Sequence, residues 1–393
     1  MSYLTRTIWI LSAVSLFTDV ASEMLYPVMP IYLRSIGFSA LLIGILEGLA
    51  EATAGLSKGY FGKLSDQVGR RSPFVRLGYA LSAMSKPLMA VFIYPLWIFM
   101  ARTMDRLGKG IRTGARDAML SDEATRETKG RVFGFHRGMD TLGAVIGPAL
   151  ALLWLNRYPH RYRWLFFIAF VPGLLAVLFT FVLKERKRAT LDRPPRGKTG
   201  IFSFLHYLPK SPARYRKLVI GLWLFTLVNS SDVFLLLRIK QAGHGDTATI
   251  GVYIFYNVVY ALFAFPLGIL ADRIGLKKVF LAGLLMFVVT YAGMSMTGTI
   301  AWYLGLFFLY GIYAAATEGI SKAWISNITD RKDTATAIGA FTGIQSICTL
   351  LASTVTGWIW TNYGAAPAFL ISSVMSVFVM IYIGLVVRAA KAA

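Results

Sequence analysis

Residues 101–122 read ARTMDRLGKGIRTGARDAMLSD, and whether they form a membrane-crossing helix or a polar loop decides the topology of the whole chain. Arg102, Asp105, Lys109, Arg112 and Arg116 recur at steps of three or four, so on a helix they make one charged stripe with Arg106 beside it. Apolar runs long enough to cross a bilayer flank the stretch on both sides. Charge at membrane depth costs about 2.5–3.5 kcal/mol per group on insertion scales, so such a stripe belongs against a protein interior or a wet cavity. Reading it as a loop would place the basic segment from Lys184 to Lys217 on the opposite side from the basic turn at Gly62 to Arg71. The positive-inside rule puts both in the cytoplasm. The stripe is therefore predicted to be helical and to line a cavity.

Working outward, the 393-residue chain is 56% hydrophobic. Its apolar segments of about 20 residues each suffice to cross ~30 Å of hydrocarbon, which points to an all-α polytopic membrane protein. The strands of an outer-membrane barrel would alternate instead. Spans are predicted to start near Ile8, Leu41, Pro73, Pro95, Val132 and Trp164, and then near Leu218, Thr249, Val279, Ala301, Ala337 and Ala365, making about twelve. This gives an N-terminal six-helix bundle over 1–183, a cytoplasmic linker over 184–217, and a C-terminal six-helix bundle over 218–393. Within the linker, the apolar patch from Ile201 to Leu208 reads either as a short interfacial helix or as an irregular tether.

The net charge of +22 would suggest nucleic acid if it were spread over one face. Instead Lys and Arg concentrate in alternate connections, at 63–71, 126–131, 184–217, 273–278 and 331–332 and at the C-terminus, against Arg34, Arg157, Arg161, Arg163 and Lys240 on the other side. That asymmetry predicts cytoplasmic termini facing anionic lipid and excludes a nucleic-acid partner. Cys348 is the only cysteine, which excludes an intramolecular disulfide and a thiolate metal cluster. His136 has no companions at ligand spacing, so no metal is expected. The run from Ile8 carries Asp19 and Glu23 and reads as a span and not a signal peptide. No phosphate-binding loop and no cofactor motif is present.

An internal repeat supports the two halves. The turn GKLSDQVGRR begins at Gly62 and contains Asp66, Gly69 and Arg70; 206 positions later GILADRIGLKK begins at Gly268 and contains Asp272, Arg273 and Gly275. Gly110 with Ile111, Gly130 and Gly134 recur as Gly319 with Ile320, Gly339 and Gly343 at an offset of 209. Two parallel six-helix halves are the arrangement of transporters that rock about a central site. The first turn resembles the signature between spans 2 and 3 of the major facilitator superfamily of secondary transporters, and the second turn resembles its echo. FTDVASEMLYP, EGLAEATA, DRLGKGIR, RDA and FGFHRGMDTLGA resemble one bacterial subgroup of its permeases. The resemblance covers essentially the whole chain. Gln67 stands where many members carry a basic residue, and GAVIGP at 143–148 resembles the antiporter motif of the fifth span without its following glycine pair, replaced by Leu150 and Ala151. The resemblance implies that Asp66 meets a helix N-terminus of the other half and that Arg70 pairs with an acid at the end of the fourth span, for which Asp117 and Asp122 are available.

Depth selects the candidates for coupling. At ~1.5 Å per residue, Asp19, Glu51, Asp105 and Asp140 all fall about 12–16 Å into their spans, with Glu23 and Glu47 one turn from Asp19 and Glu51. Arg102, Arg106 and Arg137 are the partners within reach, with Lys109 on the same stripe. In the second half Asp232, Tyr256, Asn257, Tyr260, Glu318 and Lys322 are predicted to face a cavity, Glu318 and Lys322 at the spacing of a local ion pair. These residues describe a monomeric bacterial inner-membrane transporter that moves a small organic solute by alternating access, with proton-coupled efflux preferred. Import of an anionic metabolite or metal chelate is the alternative, and a non-transporting receptor or scaffold on the same fold is the rival of another class. No nucleophile with a base at usable spacing appears, so an enzyme is not expected.

Overall fold

The computed structural model describes residues 4–387 apart from 27, 30–31, 34–35, 39, 160, 184–199 and 201–202. Every long element among the described residues is a helix: α1 (Arg6–Leu25), α2 (Ala40–Val68), α3 (Ser72–Val91), α4 (Pro95–Glu123), α5 (Lys129–Arg157), α6 (Tyr162–Phe181), α7 (Ala213–Val228), α8 (Val233–Gln241), α9 (Asp246–Ile274), α10 (Leu276–Met294), α11 (Ile300–Asn327), α12 (Thr334–Tyr363) and α13 (Ala365–Val386). Helices are required here because backbone polar groups in hydrocarbon must bond within their own segment. Among the described residues nine segments are long and apolar enough to span by composition alone. The stretches α2, α3 and α4 supply three more helices of 29, 20 and 29 residues, whose polar and charged residues lower their hydropathy.

Helix boundaries follow local chemistry. Thr5 and Thr299 accept the N–H groups of Ile8 and Trp302 at the starts of α1 and α11, which satisfies orphan donors there. Prolines stand in the first turns of α3 and α4, where the missing N–H costs nothing. Gly69 and Gly275 end α2 and α9 with φ of 69° and 103°, conformations that admit glycine far more readily than any other residue. The span expected from Leu218 is two helices, α7 and α8, separated at Asn229–Asp232. The break falls on the polar run NSSD. Its groups are re-satisfied by side chains: the Asn229 amide donates to the Tyr313 hydroxyl at 2.9 Å, the Ser231 N–H to Ser353 at 3.2 Å, and the Tyr310 hydroxyl to Asp232 at 2.6 Å. A broken helix at membrane depth persists only where neighbours supply such partners. From the linker, Ser203–His206 and Tyr207–Lys210 form two consecutive short helical turns, the first packed on α2; 184–199 and 201–202 lie outside the described residues.

The helices pack as two compact units. The first comprises Met1–Ala124, Met139–Lys210 and Asp330–Gly343, and the second Thr125–Gly138, Ser211–Thr329 and Ile344–Ala393. Both α5 and α12 therefore divide between units, each contributing its first turns to one and the remainder to the other. In the first unit α1 packs on α6, α2 on α4, and α3 on α4 and α6, around Ala21, Met24, Ile98, Leu165, Phe166 and Ala169. In the second, α9 and α10 both pack on α11, and α13 covers α10. Polarity runs inside out by the standard of a soluble protein. Leu153, Val171, Phe181, Leu262, Phe378 and Leu385 are exposed while Ser15, Ser85, Lys86, Asp66 and Asp117 are buried, the pattern of a multi-pass protein solvated by lipid.

Candidate functional site

Each repeated turn carries a carboxylate that meets the start of another helix. Asp66, fully buried near the end of α2, accepts the Thr336 N–H at 2.7 Å and the Thr336 hydroxyl at 2.9 Å, in the first turn of α12. A carboxylate there meets unsatisfied N–H groups and the positive end of the helix dipole. The approach is set by glycine: a Cβ on Gly62 would lie 2.5 Å from the Ala335 carbonyl oxygen, and one on Gly114 of α4 would lie 3.0 Å from the Gly62 Cα. In the second unit Asp272 accepts the N–H groups of Gly130 and Arg131 at 2.7 and 2.8 Å, at the start of α5, together with the Arg131 Nε at 2.8 Å. Here Gly130 faces the Gly268 carbonyl at 2.6 Å from its would-be Cβ.

The arginine that reaches the fourth span is Arg71 and not Arg70. Arg71 bonds Asp66 at 3.0 Å and Asp122 at 2.5 Å, whereas Arg70 is exposed. Arg71 closes the turn after Gly69 and immediately precedes α3, so its side chain is directed inward where that of its neighbour points to water. Asp117 is paired with Arg116 at 2.9 Å. Arg273 is likewise exposed, and Arg131, supplied by α5, takes the corresponding place against Asp272.

Deeper in the first unit, α5 lies on α1 through glycine. A Cβ on Gly143 would come within 2.6 Å of the Leu16 carbonyl oxygen, and one on Gly147 within 2.7 Å of the Met24 nitrogen, the close approach that small residues permit between membrane helices. This crossing brings Asp140 to α1. Ser15 donates to the Asp140 carboxylate, and Arg116 donates to the Ser15 hydroxyl at 3.2 Å. Asp19 lies within side-chain hydrogen-bonding reach of Asp140, with Glu23 and Lys109 in electrostatic range. The side chains of Glu47 and Glu51 lie outside the described residues.

The stripe on α4 is helical, and Arg102, Asp105, Arg106, Arg112 and Arg116 on it are buried while Lys109 is exposed. Asp105 is held by Lys86 at 3.0 Å, Ser82 at 2.6 Å and Arg102 at 3.6 Å. Lys86, only 2% exposed, is the residue that sequence reasoning missed. It precedes Pro87 inside α3, and a lone intramembrane lysine is itself a signal by its desolvation cost.

In the second unit Arg137 pairs with Glu318 of α11 at 2.5 Å and donates to the Tyr260 hydroxyl at 2.5 Å, its guanidinium 5.2 Å from that ring. Arg137 and Glu318 are 33% and 46% exposed although each lies several turns inside its helix. Arg137 thus joins Glu318 of this unit. Lys322 is half-buried one turn further along α11. Tyr256 and Tyr260 are buried in an aromatic group with Tyr310, whose ring lies 5.1 Å from that of Tyr256. Asn257 donates to the Tyr253 carbonyl of its own helix at 3.0 Å.

Comparison with known proteins accords with this architecture. The family model of the Major Facilitator Superfamily matches residues 11–257 and 239–392. The chain is 31% identical to an uncharacterised MFS-type transporter of Methanocaldococcus jannaschii over 95% of this chain and 93% of that protein. It is 25% identical to the multidrug resistance protein MdtG of Enterobacter lignolyticus over 94% and 90% of the two chains. Among solved structures, the human organic anion transporter MFSD10 superposes with a TM-score of 0.81 at 16% identity, covering 96% of this chain and 98% of that one. The Escherichia coli fucose:proton symporter FucP superposes with a TM-score of 0.77 at 16% identity over 97% and 98%. The chain belongs to the Major Facilitator Superfamily, and it is a multi-pass secondary transporter with that family's fold.

Proposed function

We propose that this transporter exports a small organic solute from a bacterial cytoplasm in exchange for protons, as a monomer in the inner membrane with both termini in the cytoplasm. The observation that carries this reading is the approach of Asp19 to Asp140 where α5 crosses α1 at Gly143. Two carboxyl groups within interaction range repel when both are ionised, so the pair is suited to hold one exchangeable proton. Ser15 and Arg116 tie it to the charged stripe of α4, so loading or release of that proton changes the electrostatics felt by Arg116. Efflux is further supported by the similarity to MdtG, a multidrug resistance protein. Asp66 and Asp272 act as cytoplasmic latches, made in one conformation and broken in the other, which is how a contact biases a two-state equilibrium.

The test uses purified protein in liposomes under an imposed pH gradient, screened against pooled organic cations and pooled organic anions while lumenal pH is followed. Substrate-dependent proton flux that disappears in Asp140→Asn is the expected result. Substrate transport with no accompanying proton movement overturns the coupling.

A further inference from the structure

We infer that Arg112, with Tyr79, forms a binding site for an oxyanion, the carboxylate or phosphate group of a free solute or of a lipid headgroup. The site follows from how α3 and α4 touch. Gly78 and Gly108 face each other so closely that a Cβ on Gly78 would lie 2.6 Å from the Gly108 carbonyl oxygen and 2.7 Å from the Arg112 Cβ. This contact lays the Arg112 guanidinium over the Tyr79 ring, 4.4 Å from its centroid. Arg112 is 5% exposed and Tyr79 is 1% exposed.

Among the described residues two polar groups at this place have no hydrogen-bond partner, the Arg112 Nε and one Arg112 terminal nitrogen, while the Tyr79 hydroxyl lies within hydrogen-bonding reach of Arg116. The two arginine groups donate only, and the tyrosine hydroxyl can donate with them. Of the acids on α4, Asp105 is engaged by Lys86, Ser82 and Arg102, and one oxygen of Asp117 by Arg116. Lys86, paired with Asp105, lies within electrostatic range of both Arg112 and Arg102, and Arg116, beside Tyr79, has Asp117 and Asp140 in range. Lys86 thus sets a second cation beside Arg112. A ring face offsets part of the cost of burying a guanidinium, but it satisfies none of the N–H groups, and buried donors without acceptors are rare enough to demand a missing partner. The complement of clustered donors and positive charge is an oxygen-rich anion. Arg112 stands about 16 Å from the end of α4 at ~1.5 Å per residue, a depth reached by a solute in a cavity or by a headgroup drawn inward from the cytoplasmic leaflet. This site depends on neither the direction nor the coupling of transport.

The test is thermal unfolding of the full-length protein without any gradient, so a failure of the transport reading leaves it intact. Delipidated protein in a neutral detergent is titrated with sodium benzoate and with sodium phosphate against sodium chloride at matched ionic strength. In parallel, nanodiscs of phosphatidylcholine are compared with discs containing phosphatidylglycerol. A rise in Tm with benzoate or phosphate assigns the site to free oxyanions, and a rise confined to phosphatidylglycerol assigns it to a headgroup. In either case Arg112→Gln is expected to weaken the response at least about tenfold, the scale of a lost charge-assisted hydrogen bond. Arg112→Lys, which keeps a cation beneath the ring, serves if the glutamine variant does not fold, and it is expected to lose affinity because a single ammonium replaces the planar fork. A wild-type Tm indifferent to benzoate, phosphate and phosphatidylglycerol overturns the assignment, as does an Arg112→Gln protein that responds like wild type.

Discussion

Replacing Asp66 by Asn keeps the shape of the side chain and removes its charge, which isolates the electrostatic part of the proposed latch. The carboxylate accepts two hydrogen bonds from Thr336 at 2.7 and 2.9 Å and pairs with Arg71 at 3.0 Å, all without solvent exposure. Asparagine retains one acceptor oxygen but places an NH2 where the second oxygen stood, so it loses the ion pair and faces donors with a donor. A hydrogen bond to a charged group contributes about 1.5–3 kcal/mol, and leaving a buried arginine short of its partner costs up to about 3–5 kcal/mol. Arg71 keeps Asp122 at 2.5 Å, which limits that second cost. A net loss of about 2–4 kcal/mol shifts the ratio of latched to unlatched protein roughly 30-fold to several hundredfold at 1.4 kcal/mol per tenfold. Paired spin labels at the ends of α2 and α12, in nanodiscs, read that ratio as a distance distribution, and proteoliposome flux reads the slower cycling. An inserted, folded Asp66→Asn protein with the wild-type distance distribution and the wild-type transport rate refutes the latch.

Asp272→Asn is expected to act in the same direction but less severely, because Arg131 is 23% exposed where Arg71 is 3% exposed and water replaces part of what is lost; flux of the two variants side by side checks the order. Lys86→Met leaves buried Asp105 with Arg102 at 3.6 Å and Arg106 in electrostatic range and is expected to destabilise the protein by about 3–5 kcal/mol, read as a lower Tm in detergent, with Asp105→Asn in the same chain recovering part of it. Gly62→Ala drives a methyl to within 2.5 Å of the Ala335 carbonyl; overpacking of this kind costs about 1–3 kcal/mol, and the labels on α2 and α12 should report separation while Tm changes little. Asp19→Asn and Asp140→Asn are expected to abolish proton-driven transport while at least one of them still exchanges labelled substrate across the membrane, and uphill transport surviving in both removes the carboxyl pair from the coupling.

Much of the helical framework was legible in the chain because a bilayer imposes simple rules. Starts expected near Ile8, Leu41, Pro73 and Pro95 fall at Arg6, Ala40, Ser72 and Pro95, since hydrocarbon thickness fixes span length and proline and glycine mark the turns. The seventh span departs from this, because the consequence of NSSD depended on Tyr310, Tyr313 and Ser353, which arrive from distant helices. Side-chain pairing was less legible: Arg102, one of the partners expected within reach of the mid-membrane acids, lies 3.6 Å from Asp105, whereas Glu318, expected at the spacing of a local pair with Lys322, meets Arg137 at 2.5 Å.

By itself the sequence determined the class of molecule, the spacing of its spans, the repeat of Gly62 and Asp66 in Gly268 and Asp272, and the presence of charge at mid-membrane depth, because each is a property of local composition and period. The tertiary structure alone decided which charges meet. Arg71 in place of Arg70 reaches Asp122, Lys86 holds Asp105, Arg137 turns to Glu318, and Arg112 lies over Tyr79. Those choices depend on the rotation and crossing of helices packed through glycine, where a few ångströms decide whether a buried charge finds its partner, and no one-dimensional pattern encodes that distance.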